Sequence, residues 1–273
     1  MGKMKYFGKV FVVLMLFVCH ATLIAQNQDT FPLRLRVGTF NVGHFNQGSV
    51  GGYQGEDVME EMQRWRNWIE AQKFDIFAVQ EWNYYFDKDS VYNAQKELLE
   101  PFFKNIYFGN IFKYIYNGIA TRFELTNLRQ VTWSRFDYYA LIGDLKIGDI
   151  TITLMSTHVP WQAEHHEPSL QSMIEEMKKY EYLICLGDMN APDKNQLRFK
   201  KEGFNIANGG AEGWHCTAAG GREKGRTYNL NIDNIVTTKN IKIMNISAPE
   251  PGLNDHDHFP LLADLMIANP PTP

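Results

Sequence analysis

Apolar segments that stop abruptly on polar, chemically capable residues constrain this chain more than any other feature. The clearest runs over residues 182–192, YLICLGDMNAP. A Leu- and Ile-rich run bounded by Gly187 reads as a buried strand, and Asp188 and Asn190 follow at its mouth. Alternate residues of an extended segment point the same way, so both polar groups are expected to face one ligand while Met189 turns inward. A carboxylate beside an amide suits a phosphate and its metal. Taken alone, GDMN is also an ordinary Asp/Asn turn closing a core strand; the rest of the chain decides between the two.

The same pattern recurs. Leu33–Asn41 alternates apolar and polar residues and ends on Asn41. Residues 74–82 (FDIFAVQEW) form a second buried strand finishing in Gln80 and Glu81. A carboxylate there needs a metal or an arginine, because an unpaired buried charge is costly. Strands 138–145 and 149–155 read as a hairpin across 146–148, and the second runs into Ser156, Thr157 and His158. Residues 228–237 (YNLNIDNIVT) read as one alternating strand carrying Asp233, and Asp257 and His258 precede the apolar strand 261–266. Asn41, Glu81, His158, Asp188, Asn190, Asp233, Asp257 and His258 thus all sit at or near strand ends, too many to be turns.

Between these strands, residues 57–72 read as an amphipathic helix capped by Asp57, with Trp65 in the core. Shorter helices are expected at 94–99 and 168–180, and strands at 118–122 and 130–134. Residues 106–116 are aromatic-rich; Tyr107, Tyr114 and Tyr116 read as ordinary sheet residues.

The N-terminus carries Lys3, Lys5 and Lys9, then the apolar run 10–18, then small residues before Gln26. That order describes a secretory signal peptide cleaved after Ala25, with too few apolar residues to span a ~30 Å bilayer core. The expected location is secreted or periplasmic. Losing the three lysines moves the formal net charge from −4 to −7. With no dense Lys/Arg run there is no strongly basic nucleic-acid face, and binding through the phosphate backbone alone is disfavoured. Past the signal only Cys185 and Cys216 remain; a bridge is possible but not implied, and Cys185 is expected as a buried free thiol. The organisation read from the sequence is a signal (1–25), a short segment (26–32), one domain (33–268) and a Pro-rich tail (269–273), in a monomer.

The strings TFN (39–41), FAVQE (77–81), STH (156–158), LGDMN (186–190), IDNI (232–235) and DHFPLLADL (257–265) resemble, in order and spacing, the motif set of the endonuclease/exonuclease/phosphatase superfamily. The resemblance spans about residues 33–267. It implies an α/β (α+β) fold, a four-layer α/β/β/α sandwich of two packed mixed β-sheets with the site at one edge. It also implies a hydrolase of phosphate esters, with Mg²⁺, or Mn²⁺, as cofactor. Carried over position by position, Glu81 is the first metal ligand, with Asn41 beside it and Asp257 a weaker or second-metal contributor. Asp233 orients His258, Asp188 positions or deprotonates water, and Asn190 and His158 hold phosphate oxygens, Asn41 also lying on the substrate side; the resemblance leaves open whether Asp188 or His258 is the base and whether His158 is the acid.

Departures narrow the branch. Gly43 stands where abasic-site enzymes carry an acid, and Ala191-Pro192 and Asn231-Ile232-Asp233-Asn234 differ from the inositol phosphatases. Pro168 replaces an arginine three residues before Gln171, and His256 replaces a serine. No phosphate-contacting tyrosine is identifiable. The expected substrate is a phosphodiester, nucleic acid or another diester. The alternatives are a lipid headgroup, with Trp161 and the aromatic loop 84–86 as membrane contacts, or a non-catalytic binding domain of the same fold.

Overall fold

The computed structural model describes residues 31–110, 116–135, 137–210, 213–219 and 228–268. The segment expected as a signal (1–25), the proline-rich tail and Tyr114 lie outside the described residues.

Two six-stranded mixed sheets organise the chain. The first comprises β1 (Leu33–Asn41), β2 (Ile76–Gln80), β3 (Asn105–Phe108), β4 (Gly118–Thr121), β13 (Ile241–Ser247) and β14 (Leu261–Ile267), in the order β13-β14-β1-β2-β4-β3. The second comprises β5 (Thr126–Thr132), β6 (Tyr139–Ile147), β7 (Ile150–His158), β8 (Leu183–Asp188), β9 (Asn205–Ile206) and β12 (Asp233–Thr237), in the order β5-β6-β7-β8-β12-β9. Among the described strands of these two sheets β1/β2 and β7/β8 run parallel and the other pairs antiparallel. A small ribbon joins β10 (Ala218–Ala219) to β11 (Tyr228–Leu230).

Each helix covers an outer face. Helix α1 (Val58–Gln72) lays Met62, Trp65, Trp68 and Ile69 on Phe40, Phe77 and Val79 of the first sheet. Trp65 stacks on Phe40 at 5.5 Å and meets Phe45 edge-on at 5.2 Å. Helices α2 (Ala163–Met177) and α3 (Asp193–Lys201) cover the second sheet, where Leu170, Met173, Ile174, Met177 and Phe199 pack on Met155, Leu183, Cys185 and Val236. Strand alternation then turns the odd residues of β1 and the even residues of β7 and β8 toward the opposite sheet. β1 and β2 touch β7 and β8 across that interface, where Gln80 Nε2 donates to Ser156 Oγ at 3.3 Å. This is the four-layer sandwich expected.

Several local expectations need correction. Asp57 is the residue before α1 but makes no capping hydrogen bond; its carboxylate is drawn away by Arg64 Nη2 at 2.7 Å and by the Tyr53 hydroxyl. Helix α2 begins five residues before Pro168. Gln162 O accepts from His165 N and His166 N at 2.9 and 2.8 Å, which closes the first turn upstream, and the proline stands inside the helix. Residues 228–237 are two strands in different sheets. The chain breaks at Asn231-Ile232, where Gln196 Nε2 donates to Asn231 O at 2.6 Å and Met189 N to Ile232 O at 2.9 Å. Strand β5 starts at Thr126 rather than Gln130. Phe86 is fully buried against Tyr53 and Phe45, so only Tyr84 and Tyr85 of that loop reach the surface.

Candidate active site

Register alone brings the candidate residues together. Parallel pairing sets His158 opposite Asp188, and antiparallel pairing sets Asp188 opposite Asp233, so three adjacent strands end at one level. Across the interface β1 and β2 end at the same edge, with Asn41 opposite Gln80. Asn41 Nδ2 bridges the sheets, donating to Glu81 Oε1 at 3.2 Å and to Asp188 Oδ2 at 3.0 Å. Gly187 permits the close approach: a Cβ there would lie 1.9 Å from the Thr157 carbonyl oxygen.

All eight predicted residues gather here, though Asn190 arrives by a different route from the one the strand pattern implied. It sits in a left-handed turn at φ 45°, closed by its own N–H donating to Asp188 Oδ1 at 2.8 Å. Its Nδ2 donates to Val159 O at 2.9 Å, which fixes the amide and leaves its other hydrogen for His158 Nε2 at 3.1 Å. His158 Nδ1 therefore carries the ring proton, and it is buried without a hydrogen-bond partner among the described residues. Glu81 is left-handed too, at φ 50°. Non-glycine residues held there cost about 1–3 kcal/mol and cluster at functional sites.

His258 arrives on the loop before β14. Its Nδ1 donates to Asp233 Oδ2 at 2.8 Å, and its Nε2 points toward Asp188 Oδ2, 3.7 Å away. That loop is clamped from α1. The buried Glu61 carboxylate accepts from Asn254 N at 2.7 Å, Asn254 Nδ2 at 2.8 Å and Arg64 Nε at 2.7 Å. A second tether runs from Gln47, whose N–H donates to Asp255 O at 2.7 Å and whose Nε2 donates to Asp255 Oδ1 at 3.1 Å.

Burial and crowded acids set the electrostatics. Burial first, and Asp257 second, push Glu81 up to about 7. Burial and then Asp233 push Asp188 well above the carboxylate range. Burial also drives His158 down to about 3, with His258 and His44 adding to the effect. For His258 burial opposes the charge, but Asp233, with Asp188 and Asp257, holds it well above the ordinary histidine value. Neutral His158 and cationic His258 thus stand on either side of Asp188.

The donor set fits a divalent cation. Asp257 Oδ1 and Asp233 Oδ1 are buried with no hydrogen-bond partner among the described residues. Asp257 rests over Gly43, where a Cβ would come within 2.5 Å of its Oδ1. Among the described residues no arginine contacts Glu81; Asn41, His44 and His158 lie around it. Donor atoms of Asp188, Asp233 and His258 also lie within 4.8 Å of one another. In that trio Asp233 holds His258 protonated, so its Nε2 offers no lone pair and the Glu81 side is the better fit.

A family model described as endonuclease/exonuclease/phosphatase family matches residues 38–256. The chain belongs to the endonuclease/exonuclease/phosphatase family. The matched stretch stops one residue short of Asp257 and His258, which the fold nonetheless delivers to the site. Among solved structures, the chain resembles an endonuclease/exonuclease/phosphatase from Beutenbergia cavernae (13% identity, TM-score 0.65, covering 86% of this chain and 72% of that one). It also resembles D. rerio TDP2 complexed with a single-strand DNA product (12%, TM-score 0.64, 85% and 98%). The human Nocturnin catalytic domain with bound sulfate is a third (17%, TM-score 0.63, 85% and 94%). At these identities the likeness shows the fold. A search of curated proteins found no match.

Sequence reasoning missed three residues of this family site. His44 places Nε2 3.4 Å from Glu81 Oε2. Tyr138 is buried edge-on to His158 at 4.8 Å, its phenol pushed up to about 12 by burial and then by Glu81. Glu61 holds the loop that carries Asp257 and His258 from a helix. A glutamate on the apolar side of an amphipathic helix was the one available signal, since Glu61 neighbours Met62 and Trp65. Among the described residues both cysteines are free, Cys185 buried, as expected, and Cys216 exposed.

Proposed function

We propose that the chain is a Mg²⁺-dependent phosphodiesterase, with Mn²⁺ as the alternative ion, that acts on a nuclease-like diester substrate. We propose also that it is exported, its signal removed after Ala25, and works as a monomer. One observation carries the hydrolytic reading: a buried histidine oriented by Asp233 at 2.8 Å faces Asp188 across 3.7 Å, with Glu81 bridged to the same aspartate through Asn41. A binding module needs anion-holding groups but not a buried, oriented imidazolium.

Glu81, Asn41 and Asp257 would hold the ion. When bound, it supplies neutralisation of phosphate charge and a more acidic water. Asp188, raised by burial, is suited to take the proton of the attacking water. His258, kept charged by Asp233, donates from Nε2 to a phosphoryl oxygen as negative charge develops. Both amide hydrogens of Asn190 are engaged, by Val159 O and His158 Nε2. A phosphate oxygen therefore takes the place of His158 Nε2 as acceptor, and His158 orients the amide beforehand.

The substrate class draws support from relatives: the TDP2 structure holds a single-strand DNA product and the Nocturnin structure a sulfate. A lipid headgroup is the second reading, favoured by Trp161, 67% exposed, and Tyr84, 53% exposed, each three residues beyond a site residue. A panel of bis-p-nitrophenyl phosphate, p-nitrophenyl phosphate, single- and double-stranded DNA, RNA and sphingomyelin, with and without Mg²⁺ or Mn²⁺, tests both. Ion-dependent cleavage of a diester supports the proposal; turnover of the monoester alone refutes it.

A further inference from the structure

We propose that His44 is a nitrogen ligand of the ion held by Glu81, and that it biases the site toward Mn²⁺ and later transition metals over Mg²⁺. The inference rests on the reading that Glu81 holds an ion. His44 follows Asn41 by three residues in a short 3₁₀ turn, Gly43–Phe45, and only 4% of it is exposed. Its backbone N–H donates to Glu81 O at 2.9 Å, so the two residues are fixed to each other through the main chain. Both are left-handed, His44 at φ 54° and Glu81 at φ 50°. Two non-glycine residues held in that conformation face to face are maintained against strain.

The side-chain separation then discriminates between two arrangements. Nε2 lies 3.4 Å from Glu81 Oε2. That is longer than the ~2.9–3.0 Å of an ordinary N–H···O bond. Two donors sharing one ion, each at about 2.0–2.2 Å, lie roughly 2.8–3.6 Å apart at angles between 90° and tetrahedral. The observed distance falls in this second range. Asp257, whose charge acts on Glu81, leaves its Oδ1 without a hydrogen-bond partner among the described residues, and the absence of a side chain at Gly43 gives it room. Imidazole in the donor set raises affinity along the Mn²⁺, Co²⁺, Ni²⁺ order, whereas Mg²⁺ keeps to oxygen.

The test uses the purified, untagged chain stripped of metal and loaded with Mn²⁺. Electron spin-echo envelope modulation should show a directly bound ¹⁴N in wild type and in His158→Ala, and lose it in His44→Ala. By calorimetry His44→Ala should weaken Mn²⁺ binding about tenfold or more while changing the Mg²⁺ constant less than about threefold, the scale on which ligand-shell changes act. His44→Gln, which keeps the bulk of the side chain, should behave as His44→Ala, with thermal unfolding confirming that both variants are folded. Nitrogen coupling that persists in the folded His44 variants, or that vanishes with His158→Ala instead, overturns the inference and leaves the Glu81 reading standing. Equal weakening of Mn²⁺ and Mg²⁺ does the same. Mn²⁺ binding that does not depend on Glu81 at all overturns both.

Discussion

Adding a divalent ion to the metal-free protein should stabilise it more at pH 7.5 than at pH 5. The reason lies in Glu81. Below about 4.5 its carboxyl is neutral in folded and unfolded chains alike. As the pH rises from 4.5 to about 7 the unfolded chain releases a proton that the native state retains, because burial and Asp257 hold the native value at about 7. Stability is therefore lost across that window. At 1.36 kcal/mol per pH unit the loss approaches about 3 kcal/mol, reduced somewhat because 19% of the side chain reaches solvent. A bound cation removes the penalty by neutralising the carboxylate. At an ion concentration of about 100 times the dissociation constant the gain is about 2.7 kcal/mol. For a domain of this size that is a rise in Tm of about 5–10 °C, shrinking toward zero at acid pH as the ligand reprotonates. Glu81→Gln should abolish the ion-dependent shift and, without ion, melt higher than wild type at pH 7.5. Thermal scans of both proteins at the two pH values check this. A shift equal at both pH values, or one retained by Glu81→Gln, would refute the reasoning.

Asp233→Asn should lower kcat by about 10³–10⁴, the scale seen when an orienting carboxylate is lost, with KM little changed. His258 should also titrate lower by NMR. The pair stabilises the fold below the unfolded histidine value near 6.5 and loses that contribution as pH rises through the elevated native value, so the variant's stability deficit should be largest in acid. Glu61→Ala should release the loop that carries Asp257 and His258 and reduce activity about 10–100-fold, with Glu61→Gln recovering part of it by keeping one acceptor for Asn254. Gly187→Ala should cost about 3 kcal/mol or more in urea unfolding, because its Cβ has no room beside the Thr157 carbonyl. In protein beginning at Gln26, one thiol should react with a disulfide reagent before unfolding and two after, since burial raises the Cys185 thiol while Cys216 is exposed.

Much of the site was legible because it is written in strand ends. Period-2 alternation in β1, β7 and β8 dictates which residues face the opposite sheet, and Asn41, His158 and Asp188 occupy those positions in sequence. What alternation cannot supply is a residue delivered by a turn. Asn190 reaches the site through a left-handed kink, and His44 through a 3₁₀ turn after a glycine, and neither conformation is coded by hydrophobic pattern. Residues 228–237 misled for a related reason. Their alternation is unbroken, but Gln196 and Met189 take up the backbone groups at 231–232 and split the strand between sheets. Glu61 illustrates a third limit: a carboxylate buried by one asparagine 193 residues away is invisible until the chain is folded.

The most direct measurement is the hydrolysis of bis-p-nitrophenyl phosphate by wild type and His258→Ala, each with excess Mg²⁺ or Mn²⁺ and each shown by its Tm to be folded. Wild type should turn over only with ion present, and the variant should fall by about 10³-fold or more, the scale of losing a catalytic acid or base. A folded His258→Ala protein that keeps full ion-dependent turnover would contradict the account.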